Sequence, residues 1–521
     1  MTNRTSYWIA AGAALIAVAV AALWTTTLNH DVAWYLYMID VARHGGRLYR
    51  DVIDTNPPLI IYLMWPSAWL ASLLPLGSTN TFRLYECSLA LTTLTAAVRW
   101  LPRIWPNQTT TARGMVGLTV AFALFPFLRH DFGQREHFAV LLTLPYIWLA
   151  AMDRTASPKA TWVRVAVGVA AGLGFSLKPH FIVAWLGIEL YLLLAQRQER
   201  PWRRPELPAA IVVALAYVVF LVTQMTAYFD VARQALVVYS SQRASLTVLL
   251  SMPDLAIWAV ATALLGLLRL APATRRLVVV MFVATTGYLV AALLQRRGWT
   301  YHMYPARAFM SVYLVSFAIA LFDTVPGLAS AIRGGLSNVA LGLSAILVAL
   351  SVRYTTVERL PRNPDLVTPL VELIRRDAPR GPIASLSMRT VIYPAFPAIN
   401  ETGAEWSLRH NGLWFLPGLY EDELVMPQAE SRYHSPGNMD AMEREWFQEI
   451  VDDLCAKPPQ LLLVEPPVPG APVGRRTLDL VAYYRQDPRF DRLFQAYASK
   501  GTLGTFTIYE PAVTPSCGVA R

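Results

Sequence analysis

Charge is scarce in this chain: only 15% of its residues are Asp, Glu, Lys or Arg. A soluble protein of 521 residues needs more charged surface than that, so a purely water-soluble reading is excluded at the outset. Cysteine is scarcer still. Cys87, Cys455 and Cys517 lie far apart and are odd in number, so neither a disulfide framework nor a CxxC metal site is implied. No repeat of fixed period and no long low-complexity tract occurs. The net charge of +10 does not form one continuous basic face, which argues against nucleic-acid binding.

What is present is apolar: 55% of the residues, with a mean hydropathy of +0.37. Windows near 7–26, 84–101, 114–128, 137–152, 163–177, 181–195, 208–228, 254–270, 277–294, 308–325 and 335–352 are each long enough, or nearly so, to cross about 30 Å of hydrocarbon. About eleven transmembrane helices follow. The first window is longer than a signal-peptide core and reads as a retained anchor. Arginine clusters around Arg99, Arg103 and Arg113, around Arg154, Lys159 and Arg164, in "QRQERPWRRPE" (196–206), around Arg269, Arg275 and Arg276, and at Arg333 all fall on one side, which the positive-inside rule makes cytoplasmic. Everything after Ser351 then lies outside.

The segment "PPLIIYLMWPSAWLASLLPL" (57–76) is ambiguous. As a span it would place the N-terminus outside, but Pro66, Pro75, Trp65 and Trp69 favour a helix lying in the outer interface. After Arg353 proline-rich turns separate strand-like runs ("PIASLSM", "QLLLVEP", "GTFTIYE") from helical ones ("LVTPLVELIRR", "AMEREWFQEIVDDL", "LDLVAYYRQ"). The expected organisation is therefore a polytopic helical domain over 1–352, with a first external loop at 27–83, and a soluble α/β domain over 353–521 outside the membrane.

On this topology several polar motifs reach the outer face: "NHDVAWYLY" (29–37), "DTNPP" (54–58), "RHDFGQREH" (129–137), "SLKPH" (176–180) and "QRRGWTYHMYP" (295–305). Arg129, Arg135, Arg296 and Arg297 oppose the charge bias, and binding an anionic headgroup such as a lipid phosphate supplies a reason. Blander roles stand beside this one. Asp31 suits a helix cap, and Asp131 and Arg135 suit an i,i+4 pair. Lys178 suits a snorkelling span end, and His302 and Tyr304 suit interfacial positions. Glu189, in mid-span, needs a partner inside the bundle. "HDFGQREH" lacks HExxH spacing, so zinc is not expected.

These motifs together resemble the polytopic GT-C-type glycosyltransferases, in particular the branch holding protein O-mannosyltransferases and the lipid A aminoarabinose transferases. Asp31 matches the acidic position after the first span, Gly45-Gly46 the glycine break, and Asn56-Pro57-Pro58 the double-proline element. Asp131 matches the Asp of the second external loop, and "RRGWTYHMYP" is similar to the segment meeting the donor phosphate. The chain departs from the pattern at Val32, where a Glu is common, and at Asn56, where a Lys is common.

The resemblance implies a GT-C-like fold and an inverting transfer from a polyprenyl-phosphate sugar to a hydroxyl of an envelope glycan, lipid or protein. Transfer would take place on the periplasmic side of a bacterial inner membrane. It implies Asp31 as general base and Asp131 as a positioning carboxylate. Arg135, Lys178, Arg297 and His302 become the phosphate candidates, and Trp34, Tyr35, Asp54, Asn56, Glu136 and Tyr304 the other substrate-contacting residues. Carboxylates beside a lipid phosphate could hold Mg²⁺ or Mn²⁺, but no ligand spacing specifies a metal. Two other classes remain open: a transporter or flippase of lipid-linked sugar, and a structural partner in an envelope-assembly complex.

Overall fold

The computed structural model describes residues 2–195, 203–239, 243–267, 269–324, 366–389, 392–420, 433–467 and 479–518, together with 342, 346, 347 and 350. In chain order its helices are α1 (Thr2–Thr25), α2 (His30–Arg43), α3 (Leu59–Ala71), α4 (Gly77–Ile104), α5 (Thr110–Leu124), α6 (Arg135–Ala151), α7 (Thr161–Ser176), α8 (Ile182–Ala195), α9 (Glu206–Gln224) and α10 (Thr226–Val238). There follow α11 (Leu246–Leu250), α12 (Pro253–Leu267), α13 (Pro272–Gln295), α14 (Tyr304–Thr324), α15 (Val367–Asp377), α16 (Ala395–Thr402), α17 (Leu416–Leu419), α18 (Ala441–Ala456), α19 (Leu480–Tyr484) and α20 (Pro488–Gln495). Short 3-10 turns occupy Pro126–Asp131, Pro179–Phe181 and Thr300–Met303.

Each apolar window up to residue 325 overlaps one of these helices, except that 208–228 runs past the end of α9 at Gln224 into α10; most of the last window, 335–352, lies outside the described residues, as do Arg333 and most of the 196–206 cluster. Four helical segments are long and apolar enough to cross a membrane: Thr5–Thr25, Glu206–Gln224, Pro272–Gln295 and Thr300–Phe322. Leu59–Ala71, Thr110–Leu124, Thr161–Ser176, Pro179–Leu194 and Pro253–Gly266 are apolar but shorter. α3, the segment that hydropathy left ambiguous, is one of these shorter helices. Thirteen residues rise about 20 Å, short of the hydrocarbon thickness, and Trp69 stays exposed on its surface.

The chain divides into two compact units. The first holds Met1–Thr26, Phe82–Thr223 and Ala244–Leu360. In it α13 packs on α14 and α8, α6 on α7, and α5 on α1 and α14. Small residues permit the close approaches, as expected where lipid supplies no hydrophobic drive between helices. A Cβ on Gly287 of α13 would collide with the Ala184 backbone of α8, and one on Gly168 of α7 with the Glu206 backbone at the start of α9. Glu189 finds its partners here: Tyr146 Oη donates to its Oε1 at 2.5 Å, and Arg204 pairs with its Oε2.

The second unit holds Thr27–Thr81, Gln224–Arg243 and Pro361–Arg521. Its sheet has the order β2-β1-β3-β5-β4, formed by β1 (Pro382–Leu386), β2 (Glu405–Trp406), β3 (Leu461–Val464), β4 (Tyr497–Leu503) and β5 (Phe506–Pro511). β2, β1 and β3 run parallel, and β5 and β4 add an antiparallel edge. The fully buried β3 explains why "LLLV" is continuously apolar. The runs expected as β1, β3 and β5 are strands; β2 and the largely exposed β4 carry no comparable signal. One expectation is corrected. Cys455, near the end of α18, forms a disulfide with Cys517 beyond β5, with Cα atoms 5.7 Å apart and 62 residues of separation. The chain's return past β5 creates this proximity, which linear spacing does not encode.

Candidate functional site

In the second unit, α2 begins one residue earlier than the aspartate. Asn29 is its N-cap, its side chain accepting from the Asp31 backbone N–H at 2.9 Å. The capping role considered for Asp31 thus belongs to Asn29, which leaves the Asp31 carboxylate in the first turn, where the helix dipole favours negative charge. His30 Nε2 lies 3.4 Å from Asp31 Oδ1, and the carboxylate is about one-quarter exposed. At the other end α2 stops at Arg43, and Gly45 takes a φ of 95° that a side chain would resist. Asp54 is buried; its Oδ1 accepts from both the backbone N and Nδ2 of Asn56, each at 2.7 Å, and Asn56 Nδ2 also reaches Tyr35 Oη at 3.3 Å. Trp34 is buried in this unit's core, stacked on Tyr37 and edge-on to Phe396.

In the first unit a buried polar cluster forms from three separate segments. Lys178 Nζ, presented just after α7, donates to Glu136 Oε1 at 2.5 Å and to Gln295 Oε1 at 2.8 Å. Glu136 stands in the first turn of α6, and Gln295 is the last residue of α13. Arg296 and Gly298, both with positive φ, then turn the chain back. This turn brings His302 in, with its Nε2 3.9 Å from Glu136 Oε1. The Tyr301 ring lies under Lys178 Nζ, 5.7 Å from its centroid, and Arg297 stands over Trp299. Lys178, Arg135, Arg297 and His180 are all close enough to act electrostatically on His302. Among the described residues, Glu136 Oε2 and His302 Nδ1 are buried without a hydrogen-bond partner.

Of the residues expected to meet a phosphate, Lys178 and His302 stand beside the Glu136 carboxylate, while Arg135 precedes Glu136 in α6 and Arg297 lies over Trp299. Asp131 ends the 3-10 turn before α6, its Oδ1 3.5 Å from His130 Nε2. Tyr304 is buried, with its hydroxyl donating to Ala123 O at 3.0 Å. Asp31 and Asp131 belong to different units, so each stands here among its own neighbours.

Sequence reasoning passed over Gln295, Tyr301 and a second buried pair, Glu86 Oε1 with His137 Nδ1 at 2.9 Å, both side chains fully buried. Glu86 carried a usable signal, an ionisable residue inside an apolar window. Gln295 carried none beyond its place in the "QRRGW" motif. Among the described residues no group of three or more His, Cys, Asp or Glu side chains is placed to hold a metal ion.

A known structure matches the fold over nearly the whole chain. ArnT from Cupriavidus metallidurans bound to undecaprenyl phosphate superposes with a TM-score of 0.54 at 14% identity, over 99% of this chain and 100% of that one. The apo form of ArnT gives a TM-score of 0.57, again at 14% identity, over 97% and 98%. The chain has the ArnT fold. It is a GT-C-like helical membrane fold. No protein-family profile matches the chain, and no curated protein matches it in sequence. Relative to ArnT the likeness therefore lies in architecture, with little of it left in residue identity.

Proposed function

We propose that the chain is an inverting membrane glycosyltransferase that moves a sugar from a polyprenyl-phosphate donor to a hydroxyl of an envelope acceptor. The observation that carries this reading is the fit of the whole chain to ArnT in complex with undecaprenyl phosphate. The basic residues near His302 support it as well. Lys178 stands beside Glu136, and Lys178, Arg135 and Arg297 all act on His302; fixed cations of this kind stabilise a leaving phosphate as its charge builds.

In this scheme Asp31 accepts the acceptor proton as the hydroxyl oxygen attacks the anomeric carbon. The bond from that carbon to the phosphate oxygen breaks, and polyprenyl phosphate leaves with the electron pair. Asp131 positions the reacting groups, and His302 supports the phosphate side. Asp54, Asn56 and Tyr35 hold the loop behind Asp31, while Trp34 and Tyr304 pack the elements that carry the site. Reaction on the periplasmic face of a bacterial inner membrane is supported by the Cys455–Cys517 disulfide, since such bonds persist in oxidising compartments.

The test is to incubate the purified full chain with a panel of polyprenyl-phosphate monosaccharides and envelope acceptors and to measure polyprenyl phosphate release. Release with one donor, abolished in Asp31→Asn, supports transfer. Donor translocation across a vesicle without release would instead establish a flippase.

A further inference from the structure

The second unit contains a cavity of about 1140 Å³ that none of the proposed catalytic residues lines. Three helices turn one face each toward it. Tyr37, Asp40 and His44 come from α2; Asp230 and Gln234 from α10; Glu445, Glu449 and Asp453 from α18. The α2 set, ending at its C-cap His44, and the α10 set fit i, i+3, i+4, i+7 spacing, and the α18 set is spaced i, i+4, i+8, so each forms a single helical stripe. The polar sides of three amphipathic helices thus converge on one space. Its volume slightly exceeds the roughly 300–1,000 Å³ that encloses a drug-sized ligand.

The lining decides what chemistry fits. Seven carboxylates stand against five Lys and Arg side chains, a net of two negative charges. The half-buried cation, Arg409, is already occupied: Nε and Nη2 donate to Asp453 at 3.0 and 2.8 Å, and Nη1 donates to Glu449 at 3.0 Å. Arg47 is held by Asp51 and Lys457 by Glu405. Arg50 and Arg380 have no ion-pair partner among the described residues, but with seven carboxylates in the same lining a phosphate meets more negative charge than positive. An acyl chain finds little apolar wall, because Val231 and Leu408 are buried and the remaining aliphatic surface is that of Val41, Ile53 and two alanines, Ala227 and Ala456.

Carboxylates, by contrast, offer about four acceptor sites each, more than these ion pairs use. Asp230 has no ion-pair partner among the described residues, and Glu445 Oε2 receives only Gln234 Nε2, at 3.1 Å. Burial raises the Tyr37 hydroxyl to about 12, so it stays protonated. Groups that accept hydrogen bonds from many hydroxyls or from an ammonium, in a space wider than one small ligand, suit a sugar chain.

Position along α2 adds a constraint. Asp40 follows Asp31 by nine residues, which places it about 14 Å further along the axis and on the opposite side of the helix. A ligand in the cavity therefore lies away from Asp31. We propose that the cavity holds an oligosaccharide segment of the acceptor remote from its reacting hydroxyl, a neutral or amine-bearing glycan without phosphate. This inference rests on the glycosyl-transfer reading, and it makes the acceptor an extended glycan.

The test probes a glycan array of neutral, amino and phosphorylated oligosaccharides, with an oligolysine peptide spotted beside them, using labelled full chain in nanodiscs. Wild type should bind neutral or amino glycans. Asp230→Asn with Glu445→Gln should weaken binding about tenfold or more, the effect of losing hydrogen bonds to charged groups. Ala227→Trp, which fills the cavity without removing an acceptor, should do the same. Absence of glycan binding, preference for phosphorylated glycans, capture of oligolysine alone, or binding that survives both variants would overturn the proposal. Asp31→Asn separates the two readings, because it should keep glycan binding while losing transfer. A wild-type chain that binds glycans but releases no polyprenyl phosphate would count against transfer alone.

Discussion

Replacing Lys178 with Met separates structural from catalytic electrostatics in one site. Its ammonium is only 8% exposed and faces Glu136, whose side chain is fully buried, at 2.5 Å. Removing one member of such a pair leaves an uncompensated buried charge, at a cost of about 3–5 kcal/mol. Lys178→Met should therefore lower the thermal midpoint sharply, and activity loss in that variant would be uninformative. The double variant Lys178→Met/Glu136→Gln removes both charges and should recover most of the lost stability. If Lys178 also holds the leaving phosphate, the double variant still lacks a charge-assisted bond of about 1.5–3 kcal/mol. Turnover should then stay roughly 10- to 150-fold below wild type. The assays are thermal unfolding in nanodiscs and polyprenyl phosphate release at saturating donor. A stable double variant with wild-type turnover would refute the phosphate role and reduce Lys178 to a counter-ion for Glu136.

Asp31→Asn should fold normally, because Asn29 caps α2, while transfer falls by about 10²–10⁴-fold, the usual contribution of a general base; thermal melting and donor binding must be recorded beside activity. Arg135→Gln and Arg297→Gln should each raise donor KM, lower kcat, or both, by roughly 10- to 150-fold in kcat/KM, and unchanged kinetics would make them simple headgroup anchors. Breaking the Cys455–Cys517 bridge by Cys455→Ala should cost about 4 kcal/mol on a loop-entropy account of the 62-residue separation. After mild reduction an impermeant maleimide should label both cysteines from outside only. Burial raises the Glu449 carboxyl, but His410 and Arg409 outweigh that and hold it below the ordinary range. Its stabilising contribution is therefore full above the unfolded value of about 4.3 and lost as pH falls through the lower folded value. Glu449→Gln should flatten that acid limb in a pH-dependent melt.

The sequence by itself determined the helices and most of their ends. Apolar windows mark the bundle because a lipid-facing helix must be apolar over its length. Gly45 marks the end of α2 because positive φ is local chemistry, whereas the helix's N-cap is Asn29 and not Asp31, since both residue types cap well and only the backbone geometry chooses between them. β1, β3 and β5 were legible because buried strands are written in continuous or alternating apolar residues, whereas β4 is mostly exposed and has no such text. What only the tertiary structure decided is every pairing between distant segments. Lys178, Glu136, Gln295 and His302 come from places up to 166 residues apart, and their meeting depends on how α6, α7 and α13 pack. The same holds for Glu189 with Arg204 and Tyr146, and for Cys455 with Cys517. The cavity, too, is invisible in the sequence, because a polar helical stripe reads as a solvated face until three of them are folded toward one another. Local propensity and hydropathy act over a few turns of chain, while a site is a statement about packing.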